Sequence, residues 1–202
     1  MKKRFILVMS CALLFLSIIL CSSCKYEDQK TSEGSVENLY TAFLNNEATA
    51  VDYETENSIS VTDIFDDEED LNEYVVFDID GDNESELVLK SLRFFYVIKD
   101  KDNRLKVIYA GTGYDDLLND GSILATVHQT GPDHFMYTHR VFDIHGLFSE
   151  NTYEQYDDNC DGQYDGEDLY FFNRNRIEYD SYIRMLNSIL DIGTDQISWS
   201  TF

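Results

Sequence analysis

Proline is all but missing from this chain: Pro132 is the one proline in 202 residues, which excludes any proline-rich linker or recognition segment. Positive charge is scarce as well, with 15 Lys and Arg against 39 Asp and Glu and a formal net charge of −24. So negative a chain repels phosphate backbones, which excludes nucleic acid as a partner and favours cations. Cysteine runs out early. Cys11, Cys21 and Cys24 lie at the N-terminus and only Cys160 follows. One cysteine beyond Cys24 leaves no intramolecular disulfide to brace the fold. There is no GxSxG elbow and no HExxH helix, and the nearby Gly111 and Gly113 are too few to cradle a phosphate. No repeat of fixed period is visible.

What is present begins with an address. Lys2, Lys3 and Arg4 precede an apolar run from Phe5 to Leu20, broken only by Ser10 and Ser17, and the segment closes on Cys21-Ser22-Ser23-Cys24. A basic start, a short apolar core and small residues before a cut describe a secretory signal. The run is shorter than the roughly 20 residues that span a bilayer. A cysteine after two small residues resembles a bacterial lipobox, in which that cysteine takes the lipid. The expectation is a signal peptide over 1–23, an acylated Cys24 with a polar tether over 24–34, and one domain over 35–202 at the outer face of a membrane. An uncleaved spanning anchor and simple secretion are the alternatives. Loss of the three leader cations leaves 12 Lys and Arg against 39 acids, a formal −27.

The domain reads as α+β. Val36, Leu39, Tyr40 and Phe43 repeat at helical spacing behind Ser35, a plausible N-cap, and Asn45-Asn46 ends that helix. The acid run from Asp63 to Glu73 reads as a solvated loop. Strands follow at 74–77, 86–89, 93–98 and 105–109, rich in β-branched and aromatic residues. Turns at Asp100-Lys101-Asp102-Asn103 and Asn119-Asp120-Gly121 lead to a hairpin of 123–128 with 135–144 around Gly131-Pro132. His145-Gly146 turns into a strand over 147–156, and another covers 169–172. Residues 179–190 have apolar positions at helical spacing, and a short strand near 197–202 closes the sheet. No βαβ alternation appears, so a single antiparallel β-meander with an N-terminal and a C-terminal helix is predicted.

Two loops carry chemistry. Asp157, Asn159, Asp161, Gln163, Asp165 and Asp168 occupy positions 1, 3, 5, 7, 9 and 12 of a twelve-residue EF-hand pattern, with Gly162 at position 6. Calcium takes six to eight oxygens at roughly 2.3–2.6 Å, so its ligands must converge from a coiled loop, with position 7 giving its carbonyl. The flanks look like strands, so a helix-opening switch is excluded. The second candidate runs Asp78, Asp80, Asp82, Glu84 and Glu86, with Asn83 in the turning position; asparagine tolerates the left-handed region. Both loops predict a structural Ca2+, matched to the high calcium outside cells.

Other constellations read as structural. His128, His134, His139 and His145 are irregularly spaced, and Cys160 lies between acids that disfavour a thiolate. Tyr153, Tyr164 and Tyr170 are candidates for a carbohydrate- or peptide-binding face, though a β-rich core accounts for most of the 14 Tyr and 13 Phe.

The order of these features, "FDIDGDNESELVLKS" followed by "YDDNCDGQYDGEDLYFF", a short helix and "ISWSTF", resembles a group of lipoproteins from gut Clostridia. Those chains carry a DIDGDGxPEL-type and a YDxNxDGxYDxxDEY-type loop, with Asn83 and Ser85 here replacing the usual Gly and Pro. The resemblance spans 36–202 and implies export, a surface location and calcium, with no activity attached. The function expected is a calcium-stabilised extracellular binding domain whose ligand is a glycan, a peptide or an envelope protein, and which is not an enzyme. An extracellular hydrolase is the alternative.

Overall fold

The computed structural model describes residues 33–52, 55–65, 72–128 and 133–201. Cys24, the leader and the Gly131-Pro132 turn lie outside them. Residues 36–202 form one compact unit.

The first helix, α1 (Glu33–Leu44), starts two residues inside the expected tether and carries Ser35 within it rather than as its cap. Two short strands, β1 (Ala50–Asp52) and β2 (Ser58–Ile59), and one helical turn, α2 (Val61–Ile64), follow. They are too short to show a period, and the sequence reading passed over them. The chain continues through β3 (Glu73–Phe77), β4 (Glu86–Lys90), β5 (Phe94–Asp100) and β6 (Leu105–Thr112). It then runs through β7 (Asp115–Leu117), β8 (Ile123–His128), β9 (His134–Phe142), β10 (Phe148–Tyr156), β11 (Leu169–Phe172) and β12 (Asn175–Ile177). Helix α3 (Tyr179–Leu190) has the predicted bounds, and β13 (Ser200–Thr201) is the last described strand.

The α+β class holds, but the meander is divided between two sheets. One has the order β13-β3-β4-β5-β6-β1-β2 and the other β12-β11-β10-β9-β8-β7. The break falls at Gly113, where a Cβ would lie 2.2 Å from the Leu92 carbonyl oxygen, so only glycine lets the chain cross so close to the neighbouring turn. Neighbouring strands within each sheet pair antiparallel, except that β1 joins β6 in parallel, with Val51 opposite Lys106.

Each sheet must bury its apolar surface, and the three resulting cores define four layers. Tyr40 and Phe43 of α1 and Val61 and Ile64 of α2 pack on Leu87, Leu89, Ile98 and Val107 of the first sheet. The opposite face of that sheet, through Val88, Phe95, Val97 and Tyr109, meets Leu117, Ile123 and Phe142 of the second. Tyr182, Leu186 and Ile189 of α3 cover the outer face of the second sheet, over Leu124, Tyr153 and Tyr170. Tyr153 and Tyr170 are therefore core residues and form no binding face, and Tyr164 sits half-buried against Phe135. Because β4 is covered on both faces, its apolar run Leu87-Val88-Leu89 does not alternate.

A register shift between Val97 and Ile98 places Ile98 opposite Val107 but Val97 opposite Tyr109, leaving Ile108 as the extra residue of a bulge. Strict alternation would put 105, 107 and 109 on one face. The bulge instead sends Val107 to the helix side and Tyr109 to the space between the sheets.

Tyr40 ties α1 to the sheet: its hydroxyl donates to the Ser85 carbonyl at 2.9 Å and accepts from the Asp100 amide at 3.2 Å. Tyr40→Phe keeps the packing and orphans both backbone groups. We expect a loss of about 1–3 kcal/mol in urea unfolding.

Candidate cation-binding loops and an inter-sheet cleft

Both acidic loops close β-hairpins, with Phe77 opposite Glu86 in the first and Tyr156 opposite Leu169 in the second. No helix flanks either one, as the sequence predicted. Their backbones follow the same path. In the first, the Asp78 carboxylate accepts from the amides of Gly81 and Asn83, Asp80 from Asp82, and Asp82 from Glu84. In the second, Asp157 accepts from Asp161 and Gly162, Asn159 from Asp161, and Asp161 from Gln163. Each has left-handed residues at positions 4 and 6: Gly81 (φ 76°) and Asn83 (69°) in one, Cys160 (58°) and Gly162 (78°) in the other. Glycine takes one such position in each loop. Asn83 bears the other at low cost, whereas Cys160 bears it at about 1–2 kcal/mol of strain.

The loops differ in what neutralises them. The Lys99 ammonium, from β5, donates to Asp80 at 2.6 Å, Asp82 at 2.7 Å and Glu86 at 2.9 Å. The Asp80 and Glu86 side chains are fully buried, and that of Lys99 is 10 % exposed. Burial alone would pull the ammonium down, but the three carboxylates override it and hold it above the ordinary lysine range. Burial pushes Glu86 up to about 7, against hydrogen bonds from Lys99 and from the Ile79 amide at 3.0 Å. One oxygen each from Asp78, Asp80 and Glu86 lies within 4.8 Å of the others, a group able to hold a metal ion. The sequence reading named these acids but not Lys99, whose place opposite them follows from the pairing of β4 with β5.

In the second loop, six acids and no basic residue occupy 157–168. Asp157 and Asp168 are each 5 % exposed. Asp168 accepts from the amides of Asp158 and Asp165, closing the ring, and Asp165 accepts from Glu167. No ion pair reaches this loop among the described residues. Among the described residues its side chains form no group as tight as that of the first loop. Glu84 and Gln163, predicted to act through their carbonyls, are exposed at position 7 of each loop. The candidate cation ligands thus lie in two hairpin loops and do not share one centre.

Sequence reasoning missed a cleft of about 800 Å³ between β6 and the strands β8 to β10. At its centre the Tyr109 hydroxyl donates to Asp115 and accepts from Arg140 Nη1 at 2.8 Å. Thr112 gives Asp115 a second hydroxyl at 3.1 Å, and Arg140 Nε donates to Glu150 at 2.9 Å. The guanidinium lies 5.2 Å from the centre of the Tyr109 ring and 5.9 Å from that of Phe148. Burial, then the hydrogen bond to Asp115 and its charge, raises Tyr109 above the ordinary phenol range and keeps its proton in place. Gly111 is required here, since a Cβ would collide with the Asp115 carboxylate. No motif marks these residues, because the bulge at Ile108 and the stacking of two sheets bring them together.

The histidines stay apart: His128 pairs with Phe135 and His139 with Leu124 across β8 and β9. His139 meets Ser122 at 2.8 Å, and His134 stacks on Tyr156. Cys160 is exposed and free. No family model matches the chain, nor does any curated protein or solved structure.

A raised Glu86 pKa means that the folded state keeps a proton that the unfolded state has released. Between about pH 4.5 and about 7, this group therefore costs stability as pH rises. Glu86→Gln does not titrate. The stability of the parent relative to this variant should fall by up to about 3 kcal/mol across that window, read from urea midpoints.

Proposed function

We propose that the chain is an exported, lipid-anchored binding domain, attached through Cys24 and braced by calcium, with no catalytic role. The observation that carries this reading is the 157–168 loop, whose six acids stand without a cationic side chain among the described residues. Asp157, Asn159, Asp161, Asp165 and Asp168, with the carbonyl of Gln163, would hold the ion. A hard divalent cation with oxygen ligands suits this donor set, which has no imidazole and whose one thiol, at Cys160, lies outside the ligand positions. Bound there, the ion supplies positive charge that offsets crowded carboxylates and ties β10 to β11.

In the first loop, Asp78, Asp80, Asp82 and Glu86 with the carbonyl of Glu84 form the corresponding set, and Lys99 supplies the charge from within the chain. Calcium there must compete with a tethered ammonium, so the second loop is the stronger site. The binding reading is favoured over a hydrolase by the cleft. The carboxylates at its centre are already engaged, the buried Asp115 by two hydroxyls and the exposed Glu150 by a guanidinium, which leaves no free acid–base pair there. The leader, the lipobox-like cysteine and the likeness to clostridial lipoproteins support export.

Thermal unfolding in EDTA and then in about 2 mM calcium, with magnesium as control, tests the brace. Extracellular sites bind at roughly 10⁻⁴–10⁻³ M, so a calcium-specific rise of about 2–6 °C is expected. Asp157→Asn should abolish most of it. Lys99→Ala should cost about 3–5 kcal/mol in EDTA and enlarge the calcium response, because it strands the buried acids of the first loop. Equal melting of all forms in EDTA and calcium would refute the brace.

A further inference from the structure

The cleft has a composition at odds with the rest of the chain. Of the 12 Lys and Arg downstream of the leader, Lys99, Lys101, Lys106 and Arg140 all line it, in a molecule with 39 acids. Lys99 is committed to the first loop, but Lys101 and Lys106 make no ion pair among the described residues. Arg140 is held rigid from two sides, by Glu150 at Nε and by Tyr109 at Nη1, and stacks on two rings. A guanidinium has five donors, and these bonds use two, so a preorganised fork with N–H groups to spare faces the space. Around it the wall is more apolar than polar, and Val127, Leu147 and Phe148 at the rim are 37 %, 60 % and 43 % exposed. Exposed apolar groups beside fixed cations in a cleft of this size mark a site for a small ligand.

We infer that this cleft binds small carboxylates bearing an apolar tail or ring, with the anion held by Arg140, Lys101 and Lys106 and the apolar part against Ile108, Leu147 and Phe148. The assignment rests on the reading of the chain as a binding domain and gives that domain its ligand class. Carboxylate geometry matches the guanidinium fork, and the apolar wall disfavours a ligand that is polar throughout, such as inorganic phosphate or a neutral sugar. Asp115 and Glu150 supply the opposing specificity: they hold Tyr109 and Arg140 in place and repel a second negative charge.

The test is calorimetric titration of the full chain in lipid nanodiscs, with empty nanodiscs as blank, using octanoate and 4-phenylbutyrate against octanol and 4-phenylbutanol. The acids should bind saturably with Kd at or below about 1 mM, and the alcohols should bind at least about tenfold more weakly. Preference between the two acids tells an aliphatic from an aromatic source. Arg140→Gln and the surface pair Lys101→Gln with Lys106→Gln should each weaken the acids by about tenfold; the lysine pair serves if Arg140→Gln does not fold. Equal binding of acids and alcohols, or acid binding untouched by the lysine pair, overturns the anion assignment while leaving a binding domain in place. Binding of none of the four overturns the ligand class, and the calcium brace is judged separately by its chelator-dependent melting.

Discussion

An ammonium surrounded by three carboxylates sets the terms for this fold. The Asp80 and Glu86 side chains are fully buried at the edge of the inter-sheet core, where an unpaired charge is prohibitively costly, and Lys99 reaches them from the adjacent strand. With that charge in place, the 78–86 hairpin can lie against the core, and Ile79 packs among the residues that join the two sheets. Desolvation still presses on the cluster, which is why Glu86 is drawn towards neutrality while Lys99 is held charged.

The same requirement organises the rest of the molecule. In the two acidic loops the carboxylates are met by a basic side chain, by backbone amides, or by both. In the first hairpin both devices operate. In the second only the amides do, and the remaining charge is what a divalent cation would satisfy. The two loops share a backbone, with left-handed residues at positions 4 and 6, yet they exchange which of the two is glycine. Local chemistry can therefore be copied between hairpins while the source of positive charge differs.

At the cleft, the cations are spent differently. Arg140 is fixed by a carboxylate and a phenol, and Lys101 and Lys106 are left unpaired among the described residues, so positive charge is available to a ligand instead of being consumed by the fold. Its position depends on one irregularity. Without the bulge at Ile108, Tyr109 would point at α1, and Arg140 would lose both a hydrogen-bond partner and a ring to stack on.

By itself the sequence determined what depends on neighbours along the chain. The bounds of α3, the strands from β3 to β6 and β8 to β11, and the turn geometry of both acidic loops all follow from residue periods and from acids spaced two apart, because helix faces, strand faces and Asx turns are local. The acidic loops were legible for the same reason. Tertiary structure decided the division of the meander into two sheets, the parallel pairing of the three-residue β1, the burial of Tyr153 and Tyr170, and the seating of Lys99 among acids 13 to 19 positions away. It also decided the cleft, whose residues Tyr109, Asp115, Arg140 and Glu150 come from four strands. None of these follows from a local period, since each rests on which strand lies beside which and on one extra residue in β6 that turns a side chain to the other face.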